Sequence, residues 1–204
     1  FFTFYVPGYR FIPAYKNKMW DGKIRLYDTR TKELPAGLFV YLEEFVSTPG
    51  REYELELVHQ NYYGVPGSLL DIDMSFLSKY TITSRGQKIA PRDYQLEAIE
   101  HGLTNKKAML ISPTASGKSL IIYSIIRWYL ENHNKKVIII VPTTSLVEQM
   151  YKDFGDYSEY DDGFNVSESC HRIYSGREKN FKERVVITTW QSIYKLPQSW
   201  FESY

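Results

Sequence analysis

The chain has 204 residues, of which 43% are hydrophobic and 24% are charged, a composition typical of ordinary globular proteins. This length allows one large domain or two small ones. The absence of an apolar run of about 18 residues, and of a basic leader at the start, argues against a transmembrane helix and a signal peptide. The net charge of +1 indicates no overall attraction to nucleic acid, and the single cysteine, Cys170, excludes an internal disulfide and a CxxC metal site. We interpret Cys170 as an inert core thiol and expect a reducing, cytoplasmic location.

The first 86 residues predict the short, mixed elements of a small α+β domain. The predicted elements are a strand over 22–28, a helix over 36–46, a strand over 51–58 and a short helix over 71–80. The stretch 83–91 is short and polar and ends at a proline, which places the domain boundary near residue 86.

Basic residues are concentrated near the N-terminus. Seven basic and two acidic residues lie between Phe1 and Lys32, a net charge of +5, with aromatic residues among them. Cations beside aromatic rings are typical of surfaces that bind duplex or single-stranded nucleic acid. A basic face over a core that contains Trp20 is the alternative. The candidate DNA contacts are Lys16, Lys18, Lys23 and Arg25.

From residue 87 onward the sequence alternates strictly between strand and helix patterns. The predicted elements are helices over 91–105, 117–133 and 145–157 and apolar strands over 108–112, 135–141, 170–174 and 184–189. Apolar strands separated by helices indicate a parallel sheet that is covered on both faces. The ligands of such sheets bind beyond the carboxyl ends of the strands. The predicted fold class is therefore α/β, with a parallel-sheet domain over 87–204 that follows a small α+β domain over 1–86.

The turn before the second of these helices has the spacing of a phosphate-binding P-loop. Residues 112–119 read SPTASGKS and match G-x-x-x-x-G-K-[ST], except that Ser112 replaces the first glycine. Free N–H groups and the dipole of a helix start suit a polyphosphate, so the predicted cofactors are ATP and Mg²⁺. Lys118 would reach the outer phosphates and Ser119 would ligate Mg²⁺, which makes these two the predicted catalytic residues. The other predicted ATP-binding residues of the loop are Pro113, Thr114, Ala115, Ser116 and Gly117. An ordinary turn with a surface lysine is the alternative.

PRDYQ, at residues 91–95, resembles the R-x-Y-Q form of the Q-motif in superfamily-two helicases and translocases. The resemblance implies that Gln95 reads the adenine edge and that Arg92 helps to close the base pocket. A glutamine suits adenine because its amide offers a donor and an acceptor together. A solvent-facing helical glutamine is the alternative.

Two further junctions resemble nucleic-acid contacts of the same superfamily. IIIVPTTSLVEQM, at 138–150, is similar to motif Ia, and VITTWQS, at 186–192, is similar to motif Ib or Ic. IYSG, at 173–176, lies where the superfamily has a glycine-containing backbone contact. The free N–H groups of a helix start suit phosphate contacts, although a simple helix cap is the alternative. The residues implied are Pro142, Thr143, Thr144, Gly176, Thr188, Thr189 and Gln191.

Together with WDGKIRLYD and LPAGL in the first 40 residues, these motifs resemble the UvsW-type phage recombination helicases over nearly the whole chain. The resemblance implies a RecA-like lobe, an N-terminal domain that engages duplex, and ATP-driven action on branched or duplex DNA or on RNA–DNA hybrids. DNA is the predicted partner, with no membrane and no identifiable protein partner. The alternatives are the translocase subunit of a restriction enzyme and a nucleic-acid-binding module with a relic P-loop. A small-molecule P-loop kinase agrees poorly with the adenine-reading glutamine.

The acidic residues of the superfamily's catalytic site have no counterpart in the sequence. No Asp-Glu pair follows Thr189, and Asp161 and Asp162 lie in a polar loop that we interpret as solvated surface. The chain also begins without Met, so we expect it to be part of a longer protein that supplies these acids and an arginine finger. We therefore expect weak ATP·Mg²⁺ binding and negligible hydrolysis by the 204 residues alone.

Overall fold

The computed structural model describes residues 1–56, 72–105, 108–161, 163–174, 181–202 and 204. The chain divides into two compact units, Phe1–Ser68 and Leu69–Tyr204. The division precedes the boundary expected near residue 86 because Phe76, Tyr80 and Ile82 are buried in the core of the second unit. Among the residues described, no helix combines the length and the apolar character needed to cross a membrane.

The first unit contains both strands and helices, as the sequence predicts. Its elements are β1 (Thr3–Tyr5), β2 (Lys23–Arg25), α1 (Pro13–Lys16), α2 (Phe39–Ser47) and 3₁₀ turns at Tyr9–Phe11 and Ala36–Leu38. β1 and β2 pair antiparallel, which confirms the centre of the strand predicted over 22–28. α2 confirms the helix predicted over 36–46.

The strand predicted over 51–58 is wrong for residues 51–56, and residues 57 and 58 lie outside the described part of the chain. Arg51 and Tyr53 pack against Phe45 of α2 instead of pairing with another strand. The Arg51 guanidinium lies 3.9 Å from the centre of the Phe45 ring, and the Tyr53 ring stacks on the same ring at 5.7 Å. The alternation of apolar residues was therefore not evidence of a strand.

Aromatic contacts hold the first unit together. Between residues 1 and 56 only Gly22 is buried. Its φ of +79° favours glycine, and a Cβ there would lie 2.4 Å from Cδ2 of Tyr9. The Tyr9 ring also lies 4.7 Å from the ring of Tyr5 and 4.8 Å from that of Tyr15.

The second unit follows the predicted alternation. Its helices are α3 (Asp93–Thr104), α4 (Lys118–Asn132), α5 (Thr144–Tyr157), α6 (Val166–Ser169), α7 (Trp190–Ile193) and α8 (Gln198–Phe201), with a 3₁₀ helix at Met74–Lys79. Its strands are β3 (Thr83–Ser84), β4 (Gln87–Lys88), β5 (Val137–Val141), β6 (Cys170–Ile173) and β7 (Val185–Thr189). The three long helices and the strands β5, β6 and β7 confirm the predictions made for them.

The main sheet of the second unit is parallel, as predicted, and β3 and β4 form a separate antiparallel hairpin. Its order is β5-β7-β6, and all five residues of the central β7 are buried. One face packs through Ile139 and Ile187 into the main core, which α4 and α5 also line. The other face packs through Val186 against Ile193 and Trp200. Burial on both faces explains why β7 begins with three consecutive apolar residues, Val185–Ile187.

The strand predicted over 108–112 is wrong. These residues form no regular element, and the side chains of Met109 and Ile111 are 85% and 93% exposed. An apolar strand becomes buried only when neighbouring strands and helices cover it, and within the described residues the three-stranded sheet does not include this segment.

An ion pair inside the second unit corrects the interpretation of Asp161 as solvated surface. Its side chain is 7% exposed and pairs with Arg127, whose side chain is 5% exposed. Arg127 also donates to the Tyr123 hydroxyl at 2.9 Å and lies over the Tyr80 ring at 4.2 Å. Burial raises the pKa of Tyr123 to about 12, so this hydroxyl stays neutral. Asp162 lies outside the described residues.

Candidate nucleotide-binding site

The P-loop connects segment 108–112 to α4 through two residues in the left-handed region. Gly117, directly before α4, has a φ of +77°, and Ala115 has a φ of +63°. Glycine adopts this conformation freely, whereas alanine does so rarely. A Cβ on Gly117 would lie 2.3 Å from Nε2 of Gln95. Both the backbone conformation and this close approach therefore require glycine at position 117.

Two side chains of α3 hold the loop by one carbonyl group. The Ser116 carbonyl accepts hydrogen bonds from Gln95 Nε2 at 2.8 Å and from the Tyr94 hydroxyl at 3.1 Å. Oε1 of Gln95 accepts from the backbone N–H of Arg92 at 2.9 Å, which fixes the amide. In a planar trans peptide the carbonyl and the following N–H point in opposite directions. Anchoring the Ser116 carbonyl on α3 therefore turns the Gly117 N–H away from α3.

The backbone donors of the loop are open to a ligand. Within the part of the chain that is described, the N–H groups from Thr114 to Ser119 donate no hydrogen bond. The next two, those of Leu120 and Ile121, donate to the Gly117 carbonyl and close the first turn of α4. Unpaired donors at the positive end of a helix dipole attract an anion.

Lys118 supplies a positive charge beside these donors. Its exposed Nζ donates to the carbonyls of Pro113 at 2.6 Å and Ser112 at 3.2 Å. It has no acidic partner among the described residues. Phosphate oxygens are stronger acceptors than neutral carbonyls, so the ammonium group can exchange these bonds for bonds to a phosphate.

Ser119 presents a hydroxyl that suits a hard cation. It is half-buried at the start of α4, and its Oγ lies 2.9 Å from the hydroxyl of Tyr157. A hydroxyl has two lone pairs and one proton, so this bond leaves the serine oxygen able to ligate Mg²⁺. The donor set of the loop therefore fits a magnesium polyphosphate.

A largely apolar cavity of about 830 Å³ adjoins the loop, between α3, segment 109–116 and α4. Tyr94 and His101 line it from α3, Met109 and Ile111 from the segment, and Lys118 from α4. This volume lies in the range of small-molecule sites, which are about 300–1,000 Å³.

Gln95 and Arg92 occupy different environments. Gln95 is 5% exposed and both polar atoms of its amide already bind the protein, whereas the Arg92 side chain is exposed. The amide keeps one further hydrogen and one further lone pair. In this structure Gln95 shapes the P-loop.

Two of the junctions expected to contact nucleic acid lie together. Val141 of β5 pairs with Thr189 of β7 in the parallel ladder, so the turns that follow them lie at the same edge of the sheet. Pro142, Thr143 and Thr144 are all exposed there. Thr143 Oγ1 also caps α5 by accepting from the Leu146 N–H at 3.3 Å, as the helix-cap interpretation predicts. Segment 108–112, which leads into the P-loop, is not a strand of this sheet. The P-loop instead contacts α3 and the last residue of α5.

The β7 junction is less accessible than its motif suggests. Thr188 is fully buried and donates to the Ile173 carbonyl at 2.9 Å, and Thr189 is 5% exposed and bonds with Ser192. Their hydroxyls therefore stabilise the end of the sheet. Gln191 is exposed. Gly176 lies outside the described residues.

The basic residues of the first unit that were predicted to contact DNA differ in exposure and in their contacts. Lys16 and Lys18 are exposed at the end of α1. Lys23 lies over the Tyr5 ring at 4.9 Å, and Arg25 forms an ion pair with Asp21 that lowers the pKa of this carboxyl.

Sequence reasoning missed two hydroxyls that organise the P-loop. The R-x-Y-Q motif contains Tyr94, but the motif assigned roles only to Arg92 and Gln95. Tyr157 was only the expected end of a helix, and nothing in the spacing links it to Ser119, which is 38 positions away.

The chain resembles known proteins over its whole length. The family model described as "Type III restriction enzyme, res subunit" matches residues 88–203, and that described as "DNA helicase UvsW, N-terminal" matches residues 1–57. Over 208 residues the chain is 38% identical to the ATP-dependent DNA helicase uvsW of Enterobacteria phage T4, covering 100% of this chain and 40% of that protein.

Solved structures agree. A crystal structure of T4 UvsW matches with a TM-score of 0.80 and 35% identity, over 100% of this chain and 40% of that one. A second, of the UvsW helicase from bacteriophage T4, matches with a TM-score of 0.78 and 36% identity, over 100% of this chain and 70% of that one. The chain thus spans about two fifths of the length of the curated relative.

Proposed function

We propose that this chain binds ATP·Mg²⁺ as part of an ATP-dependent DNA helicase. The chain belongs to the superfamily-two DNA helicases, which include the type III restriction enzyme res subunit and UvsW helicase families. The proposed substrates are branched or duplex DNA and RNA–DNA hybrids. Such an enzyme, if encoded by a phage, would act in the cytoplasm of the host cell.

The observation that carries this proposal is the P-loop. Its consecutive open N–H groups, the Lys118 ammonium and the Ser119 hydroxyl form one donor set at the start of α4. α3 fixes that set through the Ser116 carbonyl, so the loop is organised before a ligand arrives. Organisation in advance reduces the conformational entropy that binding would otherwise cost.

Each part of the loop has a separate task in this proposal. The N–H groups orient the phosphates, Lys118 neutralises charge on the outer ones, and Ser119 holds Mg²⁺. A magnesium ion held by Ser119 would supply positive charge that offsets the charge of the phosphates. The cavity beside Tyr94 offers the base an apolar surface. Arg92 and Gln95 are not among the residues that line this cavity, and they are proposed as contacts to the base on their motif alone. Binding and orientation are thus assigned to this chain.

The proposed DNA contacts lie in both units. In the second unit they are the exposed turn Pro142–Thr144 and Gln191, with Thr189 and Thr188 behind them, and Gly176 is proposed on its motif alone. In the first unit they are Lys16, Lys18, Lys23 and Arg25. The pairing of Val141 with Thr189 supports a joint role for the two turns of the second unit.

One alternative is the translocase subunit of a restriction enzyme, which the description of the res-subunit family favours. The match of residues 1–57 to the UvsW N-terminal family favours the phage helicase. A nuclease domain elsewhere in the full-length protein would identify the translocase.

The test is replacement of Lys118 by alanine in the full-length protein, with the exposed Lys135→Ala as the matched control. A hydrogen bond to a charged group contributes about 1.5–3 kcal/mol, so nucleotide affinity should fall about tenfold or more. Unwinding should be lost while DNA binding persists, and the control should behave as the wild type. If Lys118→Ala leaves both nucleotide binding and unwinding intact, the P-loop is a relic.

A further inference from the structure

We propose that Tyr157 is a positioning residue for magnesium, holding the Ser119 hydroxyl so that the serine oxygen presents a lone pair to the ion. This inference rests on the proposed function, because it assigns Ser119 to the metal. It adds a residue outside the P-loop, 38 positions further along the chain.

The phenol of Tyr157 is firmly placed. It is the last residue of α5, and its ring lies 5.5 Å from that of the buried Tyr123. The preceding residue, Asp156, is tied to the β3–β4 hairpin: its carbonyl accepts from Thr83 Oγ1 at 2.6 Å, and its carboxylate accepts from the Arg85 N–H at 2.8 Å. An anchored helix end therefore directs the phenol at Ser119.

The chemistry of the pair suits this role. A hydroxyl that ligates a cation uses a lone pair for the metal and becomes a stronger donor through its proton. The Tyr157 hydroxyl oxygen lies 2.9 Å from Ser119 Oγ, so it can accept a hydrogen bond from the serine hydroxyl. A tyrosine hydroxyl is neutral near pH 7, so Tyr157 acts by orientation rather than by charge. Partners that orient a metal ligand in this way typically change metal affinity by about 10–100-fold when removed.

The experiment is Tyr157→Phe in the full-length protein, which removes one oxygen and keeps the ring. Binding of a fluorescent, non-hydrolysable ATP analogue is measured in EDTA and across a Mg²⁺ titration. Affinity in EDTA should stay at the wild-type value, while the Mg²⁺ concentration at the midpoint should rise about tenfold. Tyr160→Phe, the same change at an exposed tyrosine, should leave both quantities unaltered.

Ser119→Ala separates this inference from the proposed function. It should raise the Mg²⁺ midpoint by itself, and adding Tyr157→Phe should then have no further effect. If Ser119→Ala raises the midpoint and Tyr157→Phe does not, the role of Tyr157 is refuted and the site stands. Equal loss of affinity with and without Mg²⁺ in Tyr157→Phe would make the tyrosine merely structural. A wild-type protein that binds no nucleotide would refute both.

A measurement on the unaltered protein covers the case in which Tyr157→Phe does not fold. With tyrosine labelled by ¹³C at Cζ, the Tyr157 signal should shift when the Mg²⁺ nucleotide is added and much less with the nucleotide in EDTA. A Tyr157 signal that does not respond to Mg²⁺ would contradict the proposal.

Discussion

Replacing Gly117 by alanine tests how the P-loop is held. The left-handed conformation at φ +77° costs a residue with a Cβ about 1–2 kcal/mol. The new Cβ would lie 2.3 Å from Nε2 of Gln95, so the amide must leave the Ser116 carbonyl. Loss of that hydrogen bond adds about 0.5–1.5 kcal/mol, which makes the expected total about 1.5–3.5 kcal/mol.

Chemical denaturation of both variants isolates the contact. Gly86→Ala is the matched control, because Gly86 has a φ of +72° and a Cβ there would meet nothing within 4 Å. Both variants bear the same backbone strain and the same change in the entropy of the unfolded chain. Gly117→Ala should therefore lower the free energy of unfolding more than Gly86→Ala, by about the 0.5–1.5 kcal/mol of the hydrogen bond.

A double variant with Gln95→Ala completes the design. Without the amide, the Cβ at position 117 has space, so its additional cost should fall to that of the control. If Gly117→Ala and Gly86→Ala are equally destabilising in the presence of Gln95, the reasoning about the loop is refuted.

Four further outcomes are expected. Asp161→Asn should destabilise the chain by about 3–5 kcal/mol in denaturant titration, because it removes the buried charge partner of Arg127 and leaves only the more exposed Glu131, 4.0 Å away. Cys170, buried with its thiol pKa raised to about 12, should resist maleimide at pH 8 until the chain unfolds. The raised pKa also predicts that stability falls as pH rises above about 8.5, where the unfolded thiol ionises and the folded one does not. Replacing Lys16 and Lys18 by alanine should reduce the slope of log DNA affinity against log salt by about one for each phosphate that these lysines neutralise.

Each of these has its own control. Asp21→Asn, which breaks an exposed pair, should leave unfolding unchanged, and an equal loss from both variants would contradict the argument from burial. The fall in stability at alkaline pH should be smaller in Cys170→Ala, and fast labelling of the native thiol would contradict its burial. An unchanged salt slope would show that Lys16 and Lys18 serve solubility alone.

The long helices and the parallel strands were predictable because their signals are local. β7 is apolar along most of its length and is buried on both faces, and α4 begins directly after a glycine with helical spacing beyond it. Segment 108–112 has a similar apolar composition, yet whether it forms a strand depends on neighbours that composition does not specify.

In the candidate site, too, some features follow from local sequence and others depend on packing. Lys118 and Ser119 follow from spacing, because a phosphate loop requires those residue types in that order. The bonds from Tyr94 to Ser116 and from Tyr157 to Ser119 depend on how α3 and α5 pack, and no short-range pattern specifies such packing. Asp161 was misjudged because a polar loop and a buried ion pair have similar composition.

Because Val141 pairs directly with Thr189, the sheet fixes the distance between the two turns that follow these residues. Neighbouring strands lie about 4.8 Å apart, so Pro142 and Trp190 start one strand spacing from each other. One inserted residue in either strand would displace its turn by about 3.3 Å and send the following side chains to the opposite face. The lengths of the two strands therefore determine where both turns begin relative to each other.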